Sequence, residues 1–146
     1  WDVPEILGDE PVTPIDQYAV QIARIDKRLR LLFPNAKIVF ATSTAVQEEK
    51  YGPVFKRRNC TIEAFNAAAL KALEGTDTVI DDLYAVTSTA PEECHSDMTH
   101  YSPPAGIERV GGKVIECISR ELGIEAKAVD MDTFYPEAYP KKVIGN

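Results

Sequence analysis

Lys37-Ile38-Val39-Phe40-Ala41 is a short, unbroken apolar run closed by Thr42-Ser43-Thr44, and Thr78-Val79-Ile80-Asp81-Asp82-Leu83 repeats the pattern further along. Apolar runs of this length without alternation suit strands buried on both faces, as in parallel sheets. The segments around them carry the helical period instead. Thr13-Pro14-Ile15-Asp16 reads as a helix start, with Thr13 as cap, Pro14 in the first turn and Asp16 at the positive end of the dipole. Tyr18, Ile22, Ile25, Leu29 and Leu32 then recur at helical spacing, with Arg24, Lys27, Arg28 and Arg30 largely on the other side, and Pro34-Asn35 ends the helix. A second helix is expected from Asn59 to Glu74, with Ile62, Phe65, Ala69, Leu70 and Leu73 apolar and Gly75 as its stop. Pro103-Pro104 opens a third that runs to Leu122, with Ile107, Val110, Val114, Ile115, Ile118 and Leu122 inward and Gly123 at its end.

Helix, strand, helix, strand, helix is the order of an α/β layer fold with parallel strands joined by crossover helices. Two strands are too few for such a sheet, because each leaves a ladder edge and an apolar face uncovered. Part of the sheet is therefore expected to come from outside the chain. Between the elements, Thr42 to Arg58 reads as a long polar loop, of a length more often functional than idle. Tyr84 to Ser102 reads as irregular. The tail from Ile124 to Asn146, with Phe134, Tyr135 and Tyr139 among prolines, is expected to run along the surface without forming a domain. No internal repeat is visible.

Composition narrows the classes of function. The 146 residues have the length of one domain, with 45% hydrophobic and 27% charged residues, which is globular composition. The net charge is −7, and Lys56-Arg57-Arg58 is the one basic cluster, better read as a solvated loop or helix entry than as a nucleic-acid footprint. No run reaches the roughly 18 apolar residues of a membrane span. Neither nucleic acid nor membrane is an expected partner. Cys60, Cys94 and Cys117 are odd in number and widely spaced, so they specify neither a disulfide framework nor a paired metal site. Reduced thiols favour a cytoplasmic protein without fixing the compartment. The first residue, Trp1, reads as a cut, a processing product or an engineered boundary, so the absence of a signal segment decides little.

The chemistry-bearing stretch is Asp97-Met98-Thr99-His100. A carboxylate three residues before a histidine can orient the imidazole and stabilise its protonated form, which is the supporting half of an acyl-transfer site. No serine of the chain lies in Gly-x-Ser-x-Gly or Gly-Asp-Ser. Ser102 reads as the N-cap of the third helix. Thr42, Ser43 and Thr44 stand at the carboxyl end of a strand, where α/β sheets bind ligands. They either line a substrate pocket or satisfy the turn backbone. His95 reads as an exposed loop residue. Cys94, His95, Asp97 and His100 together offer S, N and O donors to a transition metal, although they crowd one loop without the paired spacing of zinc modules.

Four stretches resemble the C-terminal part of an SGNH (GDSL-type) hydrolase. Asp97-Met98-Thr99-His100-Tyr101-Ser102 resembles the family's last block, where Asp-x-x-His is followed by an aromatic, a hydroxyl residue and a glycine-containing helix start. Lys37 to Thr44 resembles its fourth strand and threonine-rich turn, Asn59 to Asn66 the helix with an aromatic-Asn pair, and Val79 to Tyr84 its fifth strand. Together they span most of residues 14–122. Two departures stand out: Ala45 replaces a frequent proline, and one extra residue separates His100 from Gly106. Trp1-Asp2 resembles the segment just after the family's Gly-x-Asn block.

The resemblance implies a three-layer α/β/α, flavodoxin-like fold, of which residues 1–146 form the C-terminal portion, about two strands and three helices, without the nucleophile block. It implies a serine ester hydrolase for a small acyl ester, such as an acetyl group on a carbohydrate, needing no cofactor or metal. His100 would be the general base and Asp97 its orienting carboxylate, with Thr42 and Thr44 near substrate. The nucleophile and oxyanion donors would come from the N-terminal part of the same domain, so this polypeptide alone would be inactive. Two other readings stay open: a non-catalytic α/β binding or structural domain, and a metalloprotein using Cys94, His95 and His100.

Overall fold

The computed structural model describes residues 3–4, 10–52, 55–102 and 104–127. Trp1-Asp2, Pro103 and the tail beyond residue 127 lie outside them, and with them the readings placed there. In chain order the elements are β1 (Val3–Pro4), α1 (Ile15–Leu32), β2 (Val39–Ala41), β3 (Phe55–Lys56), α2 (Asn59–Ala72), β4 (Val79–Asp81), α3 (Leu83–Thr87) and α4 (Ala105–Leu122). Single 3-10 turns at Glu48–Lys50 and Glu92–Cys94 interrupt the two long connections.

The two quoted runs pair with each other. β2 and β4 are parallel, Val39 opposite Val79, Phe40 opposite Ile80 and Ala41 opposite Asp81. α2 is the crossover between them, so the α/β order holds at this level. β1 and β3 form a separate two-residue antiparallel pair. Termini follow local chemistry. Gly75 (φ 77°) and Gly123 (φ 64°) take the left-handed conformation that ends α2 and α4, and Ile124 N–H closes back on the Ser119 carbonyl at 3.1 Å. Thr13 does not cap α1: Pro14 itself is the cap residue and its carbonyl receives the Tyr18 N–H. The segment after β4 is not irregular throughout, because the Asp82 side chain accepts the Ala85 N–H and starts α3.

The core sits between α2 and the loops rather than within the sheet. Ile62, Phe65 and Ala69 from α2 and Leu73 at its C-terminal cap are buried with Ala45, Val46, Leu83, Cys94 and Cys117. Tyr18 of α1 meets Phe65 of α2 with ring centroids 5.0 Å apart. Asp26 is the buried residue of α1. It receives Arg30 through Nε at 2.9 Å and Nη2 at 3.0 Å, and the Thr78 hydroxyl at 2.5 Å. Arg30, expected on the solvent side, is therefore turned inward, where it ties α1 to the entry of β4. These bonds hold the Asp26 carboxyl below its ordinary range, Arg30 first among the causes.

Both strands were expected to be covered on both faces, and the observed sheet is not. Val39 is 38% and Ile80 36% exposed. Ile38 C=O and Thr42 N–H both bond to β4, so by strand alternation Val39 and Ala41 turn their backbone groups to the opposite edge, which no strand pairs among the described residues. The helices show the same shortfall. On α1, Ile25 and Leu32 are exposed. On α4, Ile107, Ile115, Ile118 and Leu122 are exposed, contrary to the inward stripe expected, while Gly106 and Cys117 are buried. The cause is the width of the sheet. α1 packs chiefly on α2, and α4 on α3 and the Glu92–Cys94 turn with only a narrow contact to β4, so the broad apolar face of each has no strand beneath it among the described residues.

Candidate active site

Asp97 and His100 lie in the connection between α3 and α4, on a hairpin closed by the backbone. Ser96 N–H bonds to the His100 carbonyl at 2.9 Å and Ser102 N–H to the Cys94 carbonyl at 2.9 Å. Inside it, Asp97 uses both carboxylate oxygens. Oδ1 accepts the N–H groups of Thr99 and His100, each at 2.7 Å, and Oδ2 faces His100 Nδ1 at 2.8 Å. The first two bonds are those of an Asx turn, which is why the carboxylate can reach an imidazole only three residues on. The imidazole and two backbone donors hold the Asp97 carboxyl down to about 2, His100 first among the causes. Asp97 is thus ionised at neutral pH and can accept a proton from Nδ1; in the neutral ring that tautomer leaves Nε2 as acceptor, on a side chain 74% exposed. Among the described residues nothing bonds to Nε2.

The hairpin is seated from two sides. Its base rests on α4 at Gly106, where a Cβ would overlap the carbonyl of Cys94 and lie 3.1 Å from the Tyr101 carbonyl carbon. Ser102 does not cap α4 with its side chain; its carbonyl receives the N–H groups of Gly106 and Ile107. From the other side comes the loop after β2. Gln47 N–H bonds to the Met98 carbonyl at 2.9 Å, Tyr51 Oη meets Thr99 Oγ1 at 2.5 Å, and Tyr101 donates its hydroxyl to the Ala45 carbonyl at 2.9 Å.

That loop is in turn held by two asparagines seven residues apart on one face of α2. Asn66 binds the Ser43 peptide at both ends, N–H to Oδ1 at 2.9 Å and Nδ2 to carbonyl at 3.0 Å. Asn59 grips Val46 in the same way at 2.9 Å and 2.9 Å. Between them Thr87 accepts the Ala45 N–H at 3.0 Å. Asn59, Asn66 and Thr87 are the supporting residues that sequence reasoning did not assign a job. The signal was present in the spacing of the asparagines, but a helix period cannot say which backbone they face.

Thr42 and Thr44 separate here. Thr42 is 3% exposed, donates to Asp82 Oδ1 at 3.0 Å and accepts the Tyr84 N–H at 2.9 Å, so its hydroxyl ties the end of β2 to the turn between β4 and α3. Thr44 is half-buried on the loop. A cleft of about 590 Å³ is lined by Glu48, Glu49, Tyr51, Gly52 and Lys56 to Arg58, and by neither member of the pair. The proposed metal donors do not converge. Cys94 is buried, and His95, expected to be exposed, is half-buried and stacked on Tyr101. No group of three His, Cys, Asp or Glu able to hold a metal occurs among the described residues. No helix among them is long and apolar enough to cross a membrane. Compared with known proteins, the chain matches no family model and no curated protein.

Proposed function

We propose that this chain is the base-bearing portion of an SGNH-type serine ester hydrolase with a three-layer, flavodoxin-like sheet. One observation carries the reading: a carboxylate fixed by two backbone N–H groups holds His100 Nδ1 at 2.8 Å, leaving Nε2 of an exposed ring open. In that state Nε2 takes the proton of an attacking hydroxyl and returns it to the leaving alcohol, while Asp97 stabilises the imidazolium without taking a proton itself. The serine and the oxyanion donors belong to the N-terminal part of the domain, on a separate chain or a preceding segment. The edge of β2 that no strand pairs among the described residues, and the exposed apolar stripes of α1 and α4, support that division. A small acyl ester, such as an acetyl group on a carbohydrate, is the substrate class the resemblance implies.

In the complete protein, His100→Ala should lower ester hydrolysis by roughly 10³-fold or more with folding intact. Retained hydrolysis would favour the rival reading, a non-catalytic α/β binding or structural domain. The 146-residue chain on its own should be inactive; a monomeric, cooperatively folded and hydrolytic form of it would sink the division of the site.

A further inference from the structure

The pair above leaves the hairpin's second imidazole without a role. His95 and Tyr101 form an isolated antiparallel bridge at the base of the hairpin, and their rings lie 4.3 Å apart at 39°. Tyr101 is tied onward to Ala45, so the stacked pair joins the hairpin to the loop that α2 holds. His95 Nδ1 is buried and has no hydrogen-bond partner among the described residues. A neutral imidazole tolerates that place as an apolar plate, whereas a charged one would set an unmet donor in it.

We propose that His95 is a positioning residue whose neutral ring, stacked on Tyr101, holds the hairpin that presents Asp97 and His100, and that protonating this ring releases the hairpin. The geometry stands by itself, and only its consequence for hydrolysis rests on the functional reading above. The charges around the ring come from three elements. Lys50 of the turn after β2 opposes a proton, while Glu49 of that turn, Glu92 of the turn before the hairpin and Asp97 within it favour one. Burial outweighs them and keeps His95 below its ordinary 6.5, with Lys50 adding to the effect. Burial also raises the Tyr101 phenol, so Tyr101 remains a neutral donor. The sign follows from linkage. As pH falls, the released imidazole takes its proton first, so the hairpin's full hold is present above the ordinary value and is lost as pH falls through the lowered one.

The test is NMR on the full chain from about pH 8 to about pH 5, the range in which imidazoles titrate. It follows the His95 and His100 ring protons and the exchange protection of the Ser96 and Ser102 amides. Protection should fall at least tenfold with the midpoint of His95, not that of His100. His95→Phe, which keeps a plate on Tyr101 and cannot take a proton, should hold its protection into acid, and His95→Ala should lose it at every pH. Loss of protection in His95→Phe at the parent's midpoint, or parental protection in His95→Ala, would overturn the proposal. If the variants do not fold, separate midpoints for His95 and the amides in the unaltered chain overturn it as well. None of these readouts uses ester hydrolysis, so their failure is distinct from failure of the proposed activity.

Discussion

The loop from Ser43 to Gln47 and the sheet beside it were built to opposite standards of closure. In the loop, Ser43, Ala45, Val46 and Gln47 all donate their N–H groups to a named partner, and Ala45 and Val46 are buried. Two residues upstream, β2 ends with an outer ladder edge that no strand pairs among the described residues, and its Val39 is exposed. The lesson is that this chain finishes the support of its Asp97–His100 pair internally, while the surface beside the strands is left open. Unmet backbone groups are tolerable at a solvated edge and costly in a buried loop, so closure was concentrated where burial demands it.

The comparison breaks most readily at Gly106. Gly106→Ala places a methyl against the backbone of Cys94 and Tyr101, not against a flexible side chain, so the hairpin must lift from α4. Urea unfolding should show a loss of up to about 3 kcal/mol, with the Ser102 amide exposed to exchange. Unchanged stability would mean the hairpin is not seated there. Asn66→Ala comes next. It strands both polar groups of the Ser43 peptide and should cost about 2 kcal/mol. Its effect should extend to the Gln47 and Met98 contact if the loop transmits support from α2 to the hairpin; a change confined to Ser43 would break that chain of contacts. The smallest effect belongs to the open side. Ile118→Lys lies on an exposed stripe of α4 and should alter the stability of this chain by no more than about 0.5 kcal/mol. A loss of several kcal/mol in this chain would show that the stripe is packed after all.

Much of this architecture was legible. The period of α1, the glycines after α2 and α4, and the apolar runs placed the long helices and both parallel strands, because these are local preferences that tertiary context did not reverse. The Asp97–His100 contact was legible for the same reason, being an Asx turn within four residues. Burial was less so. The apolar positions of α4 named a face correctly but not its surroundings, since period reports which side chains share a face and says nothing of whether a sheet lies beneath it. His95 was misjudged as a free loop residue because its partner, Tyr101, is opposed to it only once the hairpin closes.

The sequence by itself thus determined the order of the three long helices and the two parallel strands, and the local geometry of one carboxylate and one imidazole, all properties of short stretches of chain. Tertiary structure alone decided that Thr42 serves a turn, that Asn59 and Asn66 clamp a loop, that Gly106 seats the hairpin and that the apolar stripe of α4 is left exposed. Each of those depends on which backbone a side chain meets across tens of residues, and only the folded chain fixes that.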